Sequence, residues 1–237
     1  MGRKLLFLFI LIPLFLHGQD RGEGKLLSQA IGENIKRYKI ESQLAYGADD
    51  VERAEFLFDS LISNVINGSI LDNFKVKKRS GRNIELYDFE KPMFLMTYAS
   101  WCTPGKGEIP ALNEIAAEYS DYIDFVVLYW DNRKEMRKRT KEYSRDITII
   151  YIDEAENNHS HIIETLKHSV GFPTSFFIDA DKKIVDVRRG ALHPYNESYE
   201  VSFELNYNAF HNGISLLKNL SDKDKNEGVV SSEDPNP

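Results

Sequence analysis

Ala99-Ser100-Trp101-Cys102-Thr103-Pro104-Gly105-Lys106-Gly107-Glu108-Ile109-Pro110 is the stretch on which the fold turns. Before it, Met93 to Tyr98 is an apolar run of strand length entered from Pro92. After it, Ile109, Leu112, Ile115 and Tyr119 fall on one helical face. A buried strand thus passes into a helix here. Ile123 to Trp130 then reads as a second buried strand, which completes a βαβ unit. The chain's single cysteine, Cys102, stands at the strand-to-helix corner. A thiol in a helix's first turn faces unpaired N–H groups and the positive end of the helix dipole. Such a setting lowers a cysteine pKa from about 8.5 to between roughly 3.5 and 7.5, so an accessible thiolate is expected. Pro104 suits a first helical turn, where its missing N–H costs nothing.

Upstream, Phe74-Lys75-Val76 and Asn83-Ile84-Glu85-Leu86 flank Ser80-Gly81, a β-hairpin pattern. Two helices precede it. One carries Leu27, Ile31, Ile35 and Tyr38; the other opens at Asp49-Asp50, carries Ala54, Leu57, Leu61 and Val65, and stops at Asn67-Gly68. Packing is the role expected of this extension. Downstream come a charged helix from Asn132 to Tyr143, a strand from Ile147 to Ile152 and a helix around Ile162, Ile163 and Leu166. Strands Thr174 to Ile178 and Ile184 to Val187 follow, joined by Asp179-Ala180-Asp181. Phe203, Tyr207, Phe210, Ile214 and Leu217 mark a closing helix that covers a sheet face. The fold class is therefore α/β, with domain limits of 19–73 for the helical extension, 74–220 for the α/β domain and 221–237 for a polar, disordered tail.

Residues 1–18 read as a signal peptide: Arg3 and Lys4, an apolar run from Leu5 to Leu16, and cleavage before Gln19. The run contains Pro13 and falls short of the about 20 residues a bilayer span needs. No cysteine near the cleavage point could take a lipid. An exported mature chain without a stable membrane span is expected, periplasmic or in the cell envelope. The formal charge of −7 becomes −9 without Arg3 and Lys4, with 28 cations against 37 acids, which argues against a nucleic-acid partner. One cysteine also excludes an internal disulfide framework. His159 and His161 beside Asp153, Glu154 and Glu156 suit solvated helix caps better than a metal site, so neither metal nor organic cofactor is implied.

The central stretch resembles the thioredoxin superfamily, and in particular the exported TlpA/ResA-like thiol-disulfide oxidoreductases, whose signature is W-C-x-P-C-x-x-E-x-P. Five of its six fixed positions are present, as Trp101, Cys102, Pro104, Glu108 and Pro110. Val170-Gly171-Phe172-Pro173-Thr174 resembles the family's cis-proline loop, and Leu86, Asp88 and Phe89 resemble its lead-in segment. The likeness spans about residues 74–190. It implies a thioredoxin-like fold with an N-terminal β-hairpin, Cys102 as the attacking thiol and Glu108 as a proton acceptor. Trp101, Pro104, Phe172 and Pro173 would meet a substrate that is a thiol- or disulfide-containing protein or a small thiol.

The sixth position is Gly105, where the family carries its resolving cysteine, one helical turn from the first. Exchange here would need an external thiol to release a mixed disulfide. Met96 stands where many thioredoxins carry a buried carboxylate, the acid that serves the resolving thiol. Several alternatives stay open: Cys102 as a buried bystander, Glu108 as ordinary charge at a helix start, and Trp101 as core. A redox-inactive peptide- or protein-binding module is the rival function. A peroxiredoxin-like peroxidase is a poorer fit, because Ala99 stands where that class expects threonine.

Overall fold

The computed structural model describes residues 24–153, 155, 165–166, 170–189 and 197–230, with side chains as far as residue 218. The leader, the His159–His161 segment and most of the helix expected around Ile162 lie outside the described residues. Seven strands form one sheet: β1 (Lys75–Lys78), β2 (Asn83–Glu85), β3 (Met93–Tyr98), β4 (Asp124–Tyr129), β5 (Ile147–Tyr151), β6 (Thr174–Ile178) and β7 (Ile184–Arg189). Their order is β2-β1-β5-β4-β3-β6-β7. The pairs β3/β4 and β4/β5 are parallel and the remaining pairs antiparallel. This is the α/β architecture the sequence predicts, with the hairpin at one edge and the βαβ unit in the middle.

Strand β3 positions the site. It is buried along its whole length and sits between β4 and β6. Tyr98 lies opposite Tyr129 in the parallel pair, and Thr97 lies opposite Thr174 in the antiparallel pair. The loop leaving β3 through Cys102 and the loop entering β6 through Pro173 therefore emerge at the same end of the sheet.

The two faces of β3 feed two cores, as a two-residue period requires. Met93 and Leu95 point to the face covered by α1 (Leu27–Gly47) and α2 (Val51–Leu61), where they join Leu27, Ile31, Ala54, Leu57 and Phe58. Phe94 and Met96 point to the other face, covered by α3 (Glu108–Tyr119) and α5 (Tyr199–Val230), with Ile109, Leu112, Ile115, Phe210 and Ile214. Between β4 and β5 lies the short α4 (Arg133–Arg139), capped by the Asn132 side chain. In α2, Asp50 caps the helix by accepting from the Arg53 N–H at 2.9 Å.

The N-terminal extension is part of this fold, without an intervening linker. Gly68 N–H donates to the Ile184 carbonyl, Ile184 N–H to Ser69 and Leu71 N–H to Lys182, so residues 68–71 run along the start of β7. From β7, Arg189 lies 3.7 Å over the Phe58 ring and donates to the Tyr38 hydroxyl. A boundary at residue 74 thus cuts through a hydrogen-bonded edge.

Two helix limits also differ from expectation. Helix α4 stops at Arg139 because Thr140 turns inward, fully buried, with its hydroxyl on the Met136 sulfur at 3.6 Å. The closing helix continues past 220 to Val230, in a stretch that no proline interrupts. Among the described residues, no helix is long and apolar enough to cross a membrane.

Candidate functional site

Cys102 lies in the loop between β3 and α3, buried at 9% exposure, with its N–H donating to the Ala99 carbonyl at 2.9 Å. Helix α3 begins only at Glu108, six residues later. The expectation of a thiol in the helix's first turn is therefore corrected. Pro104 contributes no N–H, while Gly105 and Gly107 make an earlier helical start costly in backbone entropy. The Gly107 N–H is taken by Ser202 Oγ of α5 at 3.1 Å. A residue at 105 is consequently not one helical turn from Cys102.

The electrostatic expectation is corrected with it. Burial pushes the Cys102 thiol up from its ordinary 9.0, and the carboxyl groups of Glu108 and Asp131 push in the same direction, against a backbone hydrogen bond with Ala99. The resting group is a thiol.

Glu108 is the most unusual residue of the site: a carboxyl at 1% exposure in the first turn of α3. Its Oε1 accepts from the Tyr98 hydroxyl at 2.8 Å, and its Oε2 accepts from the Gly105 N–H at 3.3 Å. Burial raises its pKa, while these two donors pull it back. Among the described residues it faces no cation in an ion pair. Surface charge at a helix start is thereby excluded as its role, because an unpaired buried carboxyl carries a desolvation cost that ordinary helix charge does not.

A consequence for stability follows from the direction of that shift. Because the folded chain holds the Glu108 proton more tightly than the unfolded chain, stability should fall as pH rises from the free value of 4.5 through the raised folded value. Glu108→Gln should flatten this limb in urea titrations run between those limits. An identical limb in parent and variant would assign the pH dependence to other groups.

Around this pair the fold gathers residues that periodicity alone does not single out. Asp131, just past β4, accepts from both the Ser100 N–H, at 2.6 Å, and the Ser100 hydroxyl, fixing the loop that carries Cys102. Its place at the carboxyl end of a parallel strand is the one signal that could have flagged it. Tyr98 packs against Tyr129 with ring centroids 5.7 Å apart, and the Tyr129 and Tyr143 hydroxyls are 3.4 Å apart. Burial raises all three phenols, Tyr129 to about 12, and keeps them neutral.

Of the residues expected to meet substrate, Trp101 and Phe172 are brought together edge-on at 5.8 Å. Trp101 is 71% exposed, so the core reading of this residue is overturned. Phe172 is half-buried and joined to Pro173 by a cis peptide. Pro104 and Gly105 are half-buried in the same loop as Cys102. Met96 is buried and apolar beneath the site. No cluster with the composition of a metal site occurs among the described residues.

A profile of the AhpC/TSA family matches residues 68–187. The chain belongs to the AhpC/TSA family. The match begins at the residues that pair with β7 and takes in β1 to β6 and most of β7, consistent with a thioredoxin-like fold. Thiol-disulfide oxidoreductase ResA of Bacillus cereus (strain ZK / E33L) is 32% identical over 123 residues, covering 50% of this chain and 67% of that protein. Thioredoxin-like protein YneN of Bacillus subtilis (strain 168) is 26% identical, covering 53% of this chain and 72% of that one. Among solved structures, the thioredoxin domain of a Bacteroides vulgatus thiol-disulfide oxidoreductase gives a TM-score of 0.49 at 19% identity, covering 63% of this chain and 98% of that domain. Homology to thiol-disulfide oxidoreductases within the AhpC/TSA family supports thiol-disulfide exchange as the general chemistry.

Proposed function

We propose that the protein performs thiol-disulfide exchange through Cys102 alone, as a monothiol site in which Gly105 replaces a resolving cysteine. The observation that carries this reading is the buried Glu108 carboxyl, whose charge acts on the Cys102 thiol, in a site whose loop carries the exposed Trp101 against a half-buried Phe172. Burial raises both groups, but it starts from a much lower value for the carboxyl. A carboxylate whose pKa is raised by burial is a better proton acceptor than a free one, which suits Glu108 to take the thiol proton when substrate docks.

The chemistry balances as follows. Cys102 gives its proton to the Glu108 carboxylate, and the thiolate sulfur attacks one sulfur of a substrate disulfide. A Cys102–substrate disulfide forms, and the departing thiolate collects the proton. An external thiol then attacks the mixed disulfide, restores the Cys102 thiol and leaves with the substrate sulfur as a new disulfide. No electrons are lost or gained overall. A thiol of raised pKa is a strong nucleophile once ionised and a poor leaving group, so the mixed disulfide should persist until external thiol is added. The substrate is a disulfide-containing protein or small disulfide that docks on Trp101, Pro104, Phe172 and Pro173, and a small thiol or thiol-containing protein supplies the external thiol. Export to the envelope, with the mature chain starting at Gln19, is proposed on the Arg3-Lys4 and Leu5–Leu16 pattern.

Incubation with a small disulfide-containing peptide tests this. Mass spectrometry should find a one-to-one adduct on Cys102 that decays in proportion to added thiol and does not form on Cys102→Ser. Failure of the folded protein to form any adduct would leave the rival reading, a binding module that uses the same aromatic surface without turnover. The burial of Cys102 is what keeps that rival in play.

A further inference from the structure

The tyrosine at the end of β3 is not part of the motif that links this chain to its relatives, yet the fold places its hydroxyl on the one buried carboxyl of the site. We propose that Tyr98 is a positioning residue: by donating from its hydroxyl to Glu108 Oε1, it holds that carboxyl in the form that can take the Cys102 proton. The inference rests on the reading of Glu108 given above.

Three geometric observations carry it. The Tyr98–Glu108 contact, 2.8 Å long, joins two side chains each at 1% exposure, so water does not compete for the carboxyl oxygen. The Tyr98 ring is fixed from two directions. Its own strand is paired on both sides, and Tyr129 packs on it from β4. The second carboxyl oxygen is held by the Gly105 N–H, so Glu108 sits in a two-point cradle with one point on β3 and one on the Cys102 loop. A donor fixed on the central strand keeps the carboxyl oriented while that loop engages substrate.

The cradle has a definite electrostatic sense. A phenol that donates to a carboxylate favours its charged form and so works against burial at Glu108. A charged Glu108 in turn holds the Cys102 proton more tightly. The groups that face this pair are Tyr98 from β3, Tyr129 from β4, Asp131 just beyond it, and Tyr143 from the segment before β5. Of these, Tyr98 alone donates a side-chain hydrogen bond to Glu108 among the described residues.

The test is the rate of Cys102 alkylation by iodoacetamide between pH 6 and 10, measured on the full chain. Parent, Tyr98→Phe, Glu108→Gln and the double variant are compared, with thermal melts confirming that each is folded. Without the phenol, Glu108 keeps its proton to higher pH and Cys102 loses one electrostatic restraint. Tyr98→Phe should therefore move the profile to lower pH and raise the rate at pH 7 on the order of threefold. Glu108→Gln should do at least as much. The double variant should match Glu108→Gln alone, because Tyr98 acts only through the carboxyl.

An equal further acceleration by Tyr98→Phe in the Glu108→Gln background would overturn the proposal, as it would show a general loosening of the site. A silent Tyr98→Phe beside a shifted Glu108→Gln overturns the role of Tyr98 and leaves the Glu108 reading intact. A silent Glu108→Gln overturns both.

Discussion

Gly107→Ala should destabilise the protein by about 3 kcal/mol, at the upper end of what overpacking a well-filled interior costs. The residue has φ −99° and ψ −2°, a conformation open to alanine, so backbone preference does not oppose the change. The obstacle is α5. A Cβ at position 107 would lie 2.2 Å from the Phe203 nitrogen, 2.4 Å from the Phe203 Cα and 2.7 Å from the Ser202 carbonyl carbon. These are backbone atoms, which cannot swing aside as a side chain can. The helix would have to withdraw, losing the Gly107 N–H to Ser202 Oγ bond and disturbing the packing of Phe210 and Ile214 on the sheet. Gly32 supplies the contrast. It is in the interior of α1 with nothing within 4 Å of its would-be Cβ, so Gly32→Ala should stabilise by roughly 0.5–1 kcal/mol through helix propensity. Urea unfolding of both variants checks the pair. A Gly107→Ala loss below 1 kcal/mol would mean that α5 does not press on the site loop as described.

The contrast between these two glycines also marks what a sequence can and cannot convey. The strands were legible because their signal is local. Met93–Tyr98 and Thr174–Ile178 are apolar runs of strand length, and Ser80-Gly81 between alternating residues announces a hairpin. The face of α5 was legible for the same reason, through Phe210, Ile214 and Leu217. The closeness of α5 to the loop before α3 was not, because it joins residues 107 and 203, distant in sequence. The packing role of the extension was legible in its helical apolar spacing, but its attachment through bonds from residues 68–71 to the start of β7 was not.

In the site, residue identity was readable and environment was not. Cys102, Glu108, Trp101 and Phe172 could be picked out from their motif, and the structure gathers them at one end of the sheet. Whether a carboxyl is solvated or sealed depends on what covers it. Glu108 is sealed between Tyr98, the Cys102 loop and the packing of α3. Tyr98 itself reads as the last apolar residue of a strand, and only its hydroxyl partner gives it a role. The thiol's pKa direction was misread because a helix dipole inferred from spacing was assigned to a residue that the helix does not reach.

That correction sets the second large effect. Iodoacetamide should modify Cys102 at pH 7 at least about tenfold more slowly in the folded protein than in urea, since each pKa unit changes the thiolate fraction of a mostly protonated thiol about tenfold. Burial acts twice, by limiting access to a residue 9% exposed and by holding the proton on the thiol, and Glu108 and Asp131 add to the second effect. Slow alkylation alone fits an enzyme and a binding module equally well. The discriminating quantity is the ratio of disulfide capture to alkylation, each measured against the same protein unfolded. An alkylating reagent must find the rare thiolate unaided, whereas a disulfide docked on Trp101 and Phe172 is held in place while Glu108 takes the proton. Exchange through Cys102 therefore requires folding to slow alkylation far more than it slows disulfide capture. If folding suppresses both reactions by the same factor, Glu108 gives no assistance, the thiol is a buried side chain like its neighbours, and the aromatic surface would then serve for binding alone.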